Sequence, residues 1–209
     1  MDSNRHDLTQ GSILKKLLQV AIPIMGTQLM QMAYNLTDMF WLGRTEQSVV
    51  AVAASGLAGM YLWLSMALMF IGRMGSEIGT SQNLGRGDIE SSKGYAQDSM
   101  RISLILGIFY GLVLLILAEP LVSLLQVKEQ NVFDSTRDYL RIVALGIPLT
   151  FVSAAITGVF NGAGNSRLSF WANATGLLVN MLLDPLMILV WGWDVKGAAI
   201  ATVIAQATV

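Results

Sequence analysis

The sequence predicts an all-α integral membrane protein, a bundle of about six transmembrane helices with the last cut short. Three observations carry that reading. Hydrophobic residues make up 54% of the 209-residue chain and charged residues only 13%, about half the share of an ordinary globular protein. Mean hydropathy is +0.57. The few charges are also placed so that long charge-free runs separate them. A chain so poor in charge does not clothe a folded surface against water, so its partner is the lipid bilayer. The balance of 13 Lys and Arg against 14 Asp and Glu removes the basic field of a nucleic-acid binder. With no cysteine and one histidine, His6, there is no disulfide framework, thiolate site, His-based triad or HExxH zinc site. No enzyme chemistry is expected.

Spans follow from length. A helix rises 1.5 Å per residue, so about 20 apolar residues cross a hydrocarbon core of roughly 30 Å. Residues 1–16 read as a polar N-terminus and a short interfacial helix, capped by Thr9 or Ser12. No cleavage site for a secretory leader follows them. Spans are then expected at about 17–41, 47–72, 98–126, 138–161 and 168–192, with an incomplete sixth at 197–209. The sixth reads as truncated, with a re-entrant half-helix as the alternative. Residues 73–94, rich in glycine and charge, read as a solvated connector on the inner side, with gating or coupling as its functional alternative. Orientation comes from Lys and Arg. With the N-terminus inside, Arg5, Lys15, Lys16, Arg73, Arg86, Lys93, Arg101 and Arg167 are cytoplasmic, against Arg44, Lys128, Arg137, Arg141 and Lys196 outside. That excess places the N-terminus in the cytoplasm of a multi-pass cell-membrane protein.

Polar residues recur at helical spacing inside the spans. The first carries Gln28, Gln31, Asn35 and Asp38 with Tyr34 beside them, and the fourth carries Thr150, Ser153, Thr157 and Asn161 with Tyr139 near its start. Asn173, Asn180 and Asp184 mark the fifth, and Thr202 and Gln206 the sixth. Lipid satisfies none of these groups, so the stripes face one another or enclosed water. Helix packing alone accounts for the hydroxyls and amides. It accounts poorly for the acids. An ionised Asp in mid-membrane costs roughly 2.5–3.5 kcal/mol, and neither acidic span holds a cation to neutralise it. The carboxyls must carry a proton or bind a cation. Asn180 and Asp184 lie one turn apart, and Asp38 with the Thr202 hydroxyl completes an oxygen-only set suited to Na⁺. Asp38 at the outer interface, bonded to water, is the alternative. Pro23, Pro148 and Pro185 break three of the helices, two of them holding the acids.

The stretch IPIMGTQLMQMAYNLTDMFWLG and the Ala-rich VVAVAASGLAG that follows resemble the opening of multidrug and toxic compound extrusion (MATE) transporters. DYLRIVALGIP, GVFNGAGNSRLSF and NMLLDPLMILVWGWDVKGAAIATVIAQ continue the resemblance in order, from about Leu8 to Val209. It implies a twelve-helix transporter in two six-helix lobes, of which this chain resembles the N-terminal one and lacks the C-terminal partner. It also implies antiport: export of organic, often cationic and amphiphilic compounds in exchange for Na⁺ or H⁺, with no other cofactor. The family's cation site matches Asp38, Asn180, Asp184 and Thr202. Tyr139 and Gln31 match positions near the substrate cavity, to which the stripes add Tyr34, Asn35, Thr157, Asn161, Asn173 and Gln206. One motif departs: the loop after the fourth helix usually reads R-G-x-G-D, and here it is Asn161-Gly-Ala-Gly-Asn165. Loading of the acids from outside is expected to neutralise them, let the first helix bend at Pro23 and release the exported compound. The alternatives are a lipid-linked precursor flippase of the same superfamily, disfavoured because the stripes hold no Lys or Arg, and a non-transporting scaffold or receptor.

Overall fold

A computed structural model describes residues 12–209, the side chains of Lys16, Gln19 and Val20 excepted. The polar segment 1–11, with Thr9, lies outside the described residues. Six α-helices follow in order: α1 Ile13–Leu42, α2 Ser48–Gly85, α3 Ile89–Leu124, α4 Gln130–Gly162, α5 Ser166–Pro185 and α6 Asp194–Ala207. A π-helical turn, Leu186–Val190, runs straight on from α5. No strand occurs among the described residues. Among the described residues, four helices are long and apolar enough to cross a membrane: α2, α3, α4, and α5 with its π turn. α1 has the length, 30 residues, and falls short in hydropathy because Gln19, Gln28, Gln31 and Asn35 interrupt it. Ser12 occupies the position before α1 without a side-chain cap bond.

Lipid tails are as apolar as leucine, so burial does not drive these helices together; close approach and hydrogen bonds do. α2, α3 and α4 pack on one another most extensively, α1 leans chiefly on α5, and α6 bridges α4 and α5. Ala51, Ala54 and Ala58 form a fully buried small-residue face on α2. Tyr61 Oη donates to the Leu121 carbonyl at 2.6 Å and Tyr110 Oη to the Tyr61 carbonyl at 2.7 Å, tying α2 to α3. Ser76 Oγ donates to the Ala155 carbonyl of α4 at 2.8 Å.

Residues 73–94 are not a connector. α2 runs on to Gly85 and α3 starts at Ile89, so the segment is a helical hairpin closed by residues 86–88. Glycines on its α2 arm and just before it serve packing: a Cβ on Gly72 would enter Ser103 of α3, and one on Gly79 would meet the Tyr95 ring. Gly87, at φ +79°, supplies the left-handed turn that other residues resist. Asp88 then caps α3, accepting the Ser91 amide at 2.9 Å, and that bond holds its carboxyl below the ordinary carboxylate value.

Pro148 illustrates how a break inside a span is absorbed. It has no N–H to give the Ala144 carbonyl one turn back, and α3 brings a glycine up to that carbonyl. A Cβ on Gly111 would lie 2.7 Å from the Ala144 oxygen, and one on Gly107 2.8 Å from Pro148 Cα. Gly111→Ala is therefore expected to destabilise the α3–α4 pair by about 1–3 kcal/mol, read as a lowered thermal midpoint in detergent.

Candidate functional site

Three helices and two tyrosines converge on one buried polar cluster. α5 contributes Asn180 and Asp184 from successive turns of one face, both fully buried, and Asn180 Nδ2 donates to Asp184 Oδ1 at 3.0 Å. α6 contributes Thr202, 5% exposed, and α1 contributes Asp38, 8% exposed. Tyr34, one turn before Asp38, donates its hydroxyl to Thr202 Oγ1 at 2.7 Å. The buried phenol of Tyr139 on α4 comes up to the same threonine. The Asp38 and Asp184 carboxyls lie close enough to repel one another when both are charged.

What this arrangement holds is oxygen without partners. Asp38 Oδ1, Asn180 Oδ1 and Asp184 Oδ2 are each buried and each lack a hydrogen-bond partner. Among the described residues no Lys or Arg pairs with either acid; every ion pair found lies elsewhere. Buried acceptors are ordinarily satisfied, and a buried carboxylate without a counter-charge is expensive. The set of two carboxylates, an amide carbonyl and a hydroxyl fits a hard monovalent cation or a proton. It does not fit a soft metal: no group of three or more His, Cys, Asp or Glu occurs among the described residues.

The backbone beneath Asp184 is irregular. Pro185 follows it directly, and the π turn ends with Trp191 N–H donating to the Leu186 carbonyl at 2.9 Å and Trp193 N–H to the Met187 carbonyl at 3.1 Å. Single π turns concentrate at functional sites. The sequence signals were Pro185 and Gly192, the latter at φ +66°.

The expected cavity residues fall into four places. Tyr34 and Tyr139 join the cluster. Gln31 and Asn35 are exposed; Gln31 shares by spacing the stripe of Thr27, Tyr34 and Asp38, but no neighbouring helix covers it as Thr27 and Asp38 are covered. Gln206 is engaged in the α4–α6 seam, its Oε1 accepting Thr150 Oγ1 at 2.7 Å. Thr157, Asn161 and Asn173 lie at the α4–α5 turn, where Ser169 Oγ donates to the Thr157 carbonyl at 3.4 Å and Asn173 Nδ2 to the Ser169 carbonyl at 2.7 Å. Asn161 is buried with its Oδ1 unpartnered. A cleft of about 250 Å³ opens elsewhere, between the N-terminal ends of α2, α4 and α6, and none of these residues lines it.

Apolar helices of spanning length around a buried acidic cluster define a polytopic membrane protein. The chain belongs to the MatE family, whose model matches residues 23–186. It is similar to the probable multidrug resistance protein NorM of Thermotoga maritima, 26% identical over 93% of this chain and 42% of that one. Multidrug resistance protein PmpM of Pseudomonas aeruginosa is 30% identical over 84% of this chain and 36% of its own length. The solved structure of a MOP superfamily transporter from Pyrococcus furiosus superposes with a TM-score of 0.90 at 25% identity, covering 99% of this chain and 45% of that one. A MATE structure in a bent conformation gives 0.90 as well, at 25% identity over 100% and 46%. The chain thus spans under half the length of these relatives, and the bundle matches about half of a MATE transporter.

Proposed function

We propose that this chain is the N-terminal lobe, residues 17–209, of a two-lobe secondary antiporter. The assembled transporter exports organic, cationic amphiphiles across the cell membrane in exchange for Na⁺ or H⁺. Asp38, Asn180, Asp184 and Thr202 take the coupling cation, with Tyr34 and Tyr139 holding Thr202. The open amide face of α1, Gln31 and Asn35, meets the exported compound, with Thr157, Asn161, Asn173 and Gln206 on its path. The N-terminus lies in the cytoplasm, the second lobe continues the same chain, and no covalent chemistry is involved.

The observation that supports this reading is the set of three buried, partnerless oxygens with two uncompensated carboxyls. A packing role leaves that set costly and purposeless; a transient cation or proton satisfies it. Reciprocal linkage then requires ion and exported compound to oppose one another's binding. The test is efflux of a cationic dye from proteoliposomes carrying the two-lobe transporter, under an imposed Na⁺ gradient and then a pH gradient. Movement driven by one gradient names the ion. Movement under neither counts against antiport and toward the flippase or scaffold alternatives.

A further inference from the structure

The cleft between the N-terminal ends of α2, α4 and α6 shares two of its helices, α4 and α6, with the cation cluster. Its floor includes Ala51 and Val195, which belong to the same buried apolar layer as Leu42, Tyr139 and Ile188. Val195, Ala199 and Thr202 stand at i, i+4 and i+7 on one face of α6, so the cleft floor and the Thr202 hydroxyl are about 10 Å apart along the helix. All three are buried, at 5%, 0% and 5% exposure. Beside the cleft, Lys196 Nζ meets Asp138 Oδ2 at 3.0 Å, joining the first turn of α6 to α4. Asp138 is the neighbour of Tyr139 and is itself held by Arg137 at 2.9 Å, which in turn holds Asp134 at 2.9 Å. The chain of alternating charges therefore fixes the α4 end of the pair, while Lys196 is the single strand of it that reaches α6.

We propose that the Lys196–Asp138 ion pair is a latch that keeps α6 against α4 and so keeps Val195 seated over Tyr139, closing the cation cluster to water from this face. The inference rests on reading the cluster as a cation site, and goes beyond it by assigning the route and its closure. Among the described residues, the Lys196–Asp138 pair is the ion pair found between α4 and α6; below it the polar ties across that seam are the Tyr139 phenol at Thr202 and the Thr150–Gln206 bond, both neutral. The pair is partly exposed, with side-chain exposures of 62% for Lys196 and 24% for Asp138. It is therefore weak enough to open and is screened by salt.

The chain has no cysteine, so one introduced at Ala199 reports on the layer alone. The full chain carrying Ala199→Cys is placed in lipid nanodiscs and exposed to a charged, water-soluble thiol reagent. Lys196→Gln is expected to speed labelling about three- to fivefold, the range a partly exposed pair supports. High salt is expected to speed labelling of the parent and leave Lys196→Gln unchanged. The double exchange Lys196→Asp with Asp138→Lys is expected to restore protection, and a circular-dichroism melt on each variant confirms that the bundle is intact. Equal labelling of parent and Lys196→Gln, or a double exchange as open as the single change, overturns the latch. Labelling reads closure and not transport, so the latch stands or falls independently of the dye-efflux assay.

Discussion

Asp184→Asn is expected to abolish gradient-driven efflux by the two-lobe transporter, by about 100-fold or more, while the protein inserts and folds as before. The side chains are nearly the same size, and Asn180 Nδ2 still finds an oxygen to donate to at the position where it now meets Asp184 Oδ1 at 3.0 Å. What disappears is the charge. Removing one partner of a buried charge interaction costs about 3–5 kcal/mol of that interaction, which converts to roughly 100-fold or more in binding of the cation. The cation-free bundle loses nothing by the change, because the charge it no longer buries cost roughly 2.5–3.5 kcal/mol at mid-membrane. Efflux and thermal unfolding measured on one preparation separate the two effects. Wild-type efflux by this variant would falsify the coupling role of Asp184. A variant that fails to fold would show instead that the carboxyl is structural.

Gly158→Ala is expected to cost more stability than other single-carbon additions to the bundle, about 3 kcal/mol, with a matching loss of monodisperse protein on size exclusion. A Cβ at this position would enter Ser76 Oγ and the Arg73 carbonyl of α2. Neither gives way easily. Ser76 is fully buried and engaged with the Ala155 carbonyl at 2.8 Å. The same strip of α2 is held against α3 one turn to either side, where Gly72 meets Ser103 and Gly79 meets Tyr95. Gly56 provides the contrast: nothing lies within 4 Å of its Cβ position, so Gly56→Ala relieves a helix interior of glycine and stabilises by about 0.5–1 kcal/mol. If Gly158→Ala melts with the parent, close α2–α4 contact is not what holds the bundle.

The cluster was legible in the sequence because it breaks a rule that lipid enforces. Asp38 and Asp184 stand in spans without cations, and spacings of three and four place Asn180 below Asp184 and give Thr202 a polar face of its own. Groups that lipid rejects had to turn inward, and the resemblance to MATE transporters chose the same four residues. Less was legible where polarity has two uses. Gln31 shares a stripe with Asp38 by spacing, yet Asp38 is covered and Gln31 is open, a distinction that depends on which neighbour covers the helix. The glycines that follow the expected end of the second span were misleading for a related reason. In a soluble chain they mark a loop, while between membrane helices Gly72, Gly75 and Gly79 mark close contact, and only the partners Ser103, Ser99 and Tyr95 tell the two apart. The π turn after Pro185 has no periodic signature at all, because one extra residue in one turn is invisible to hydropathy.

The overrun of α2 has a consequence for how motion of this lobe is seen from outside. With 38 residues the helix is about 57 Å long, nearly twice a hydrocarbon core of roughly 30 Å. It shares its far end with α3 through the tight 86–88 turn. The pair therefore stands out of the membrane as a stiff pointer, braced along its length and tipped by Gly87. A tilt of the lobe by about 10° about the bilayer midplane swings a tip roughly 35 Å away through about 6 Å. A shift too small to register at the carboxyls is magnified there into a displacement on the scale of a whole side chain.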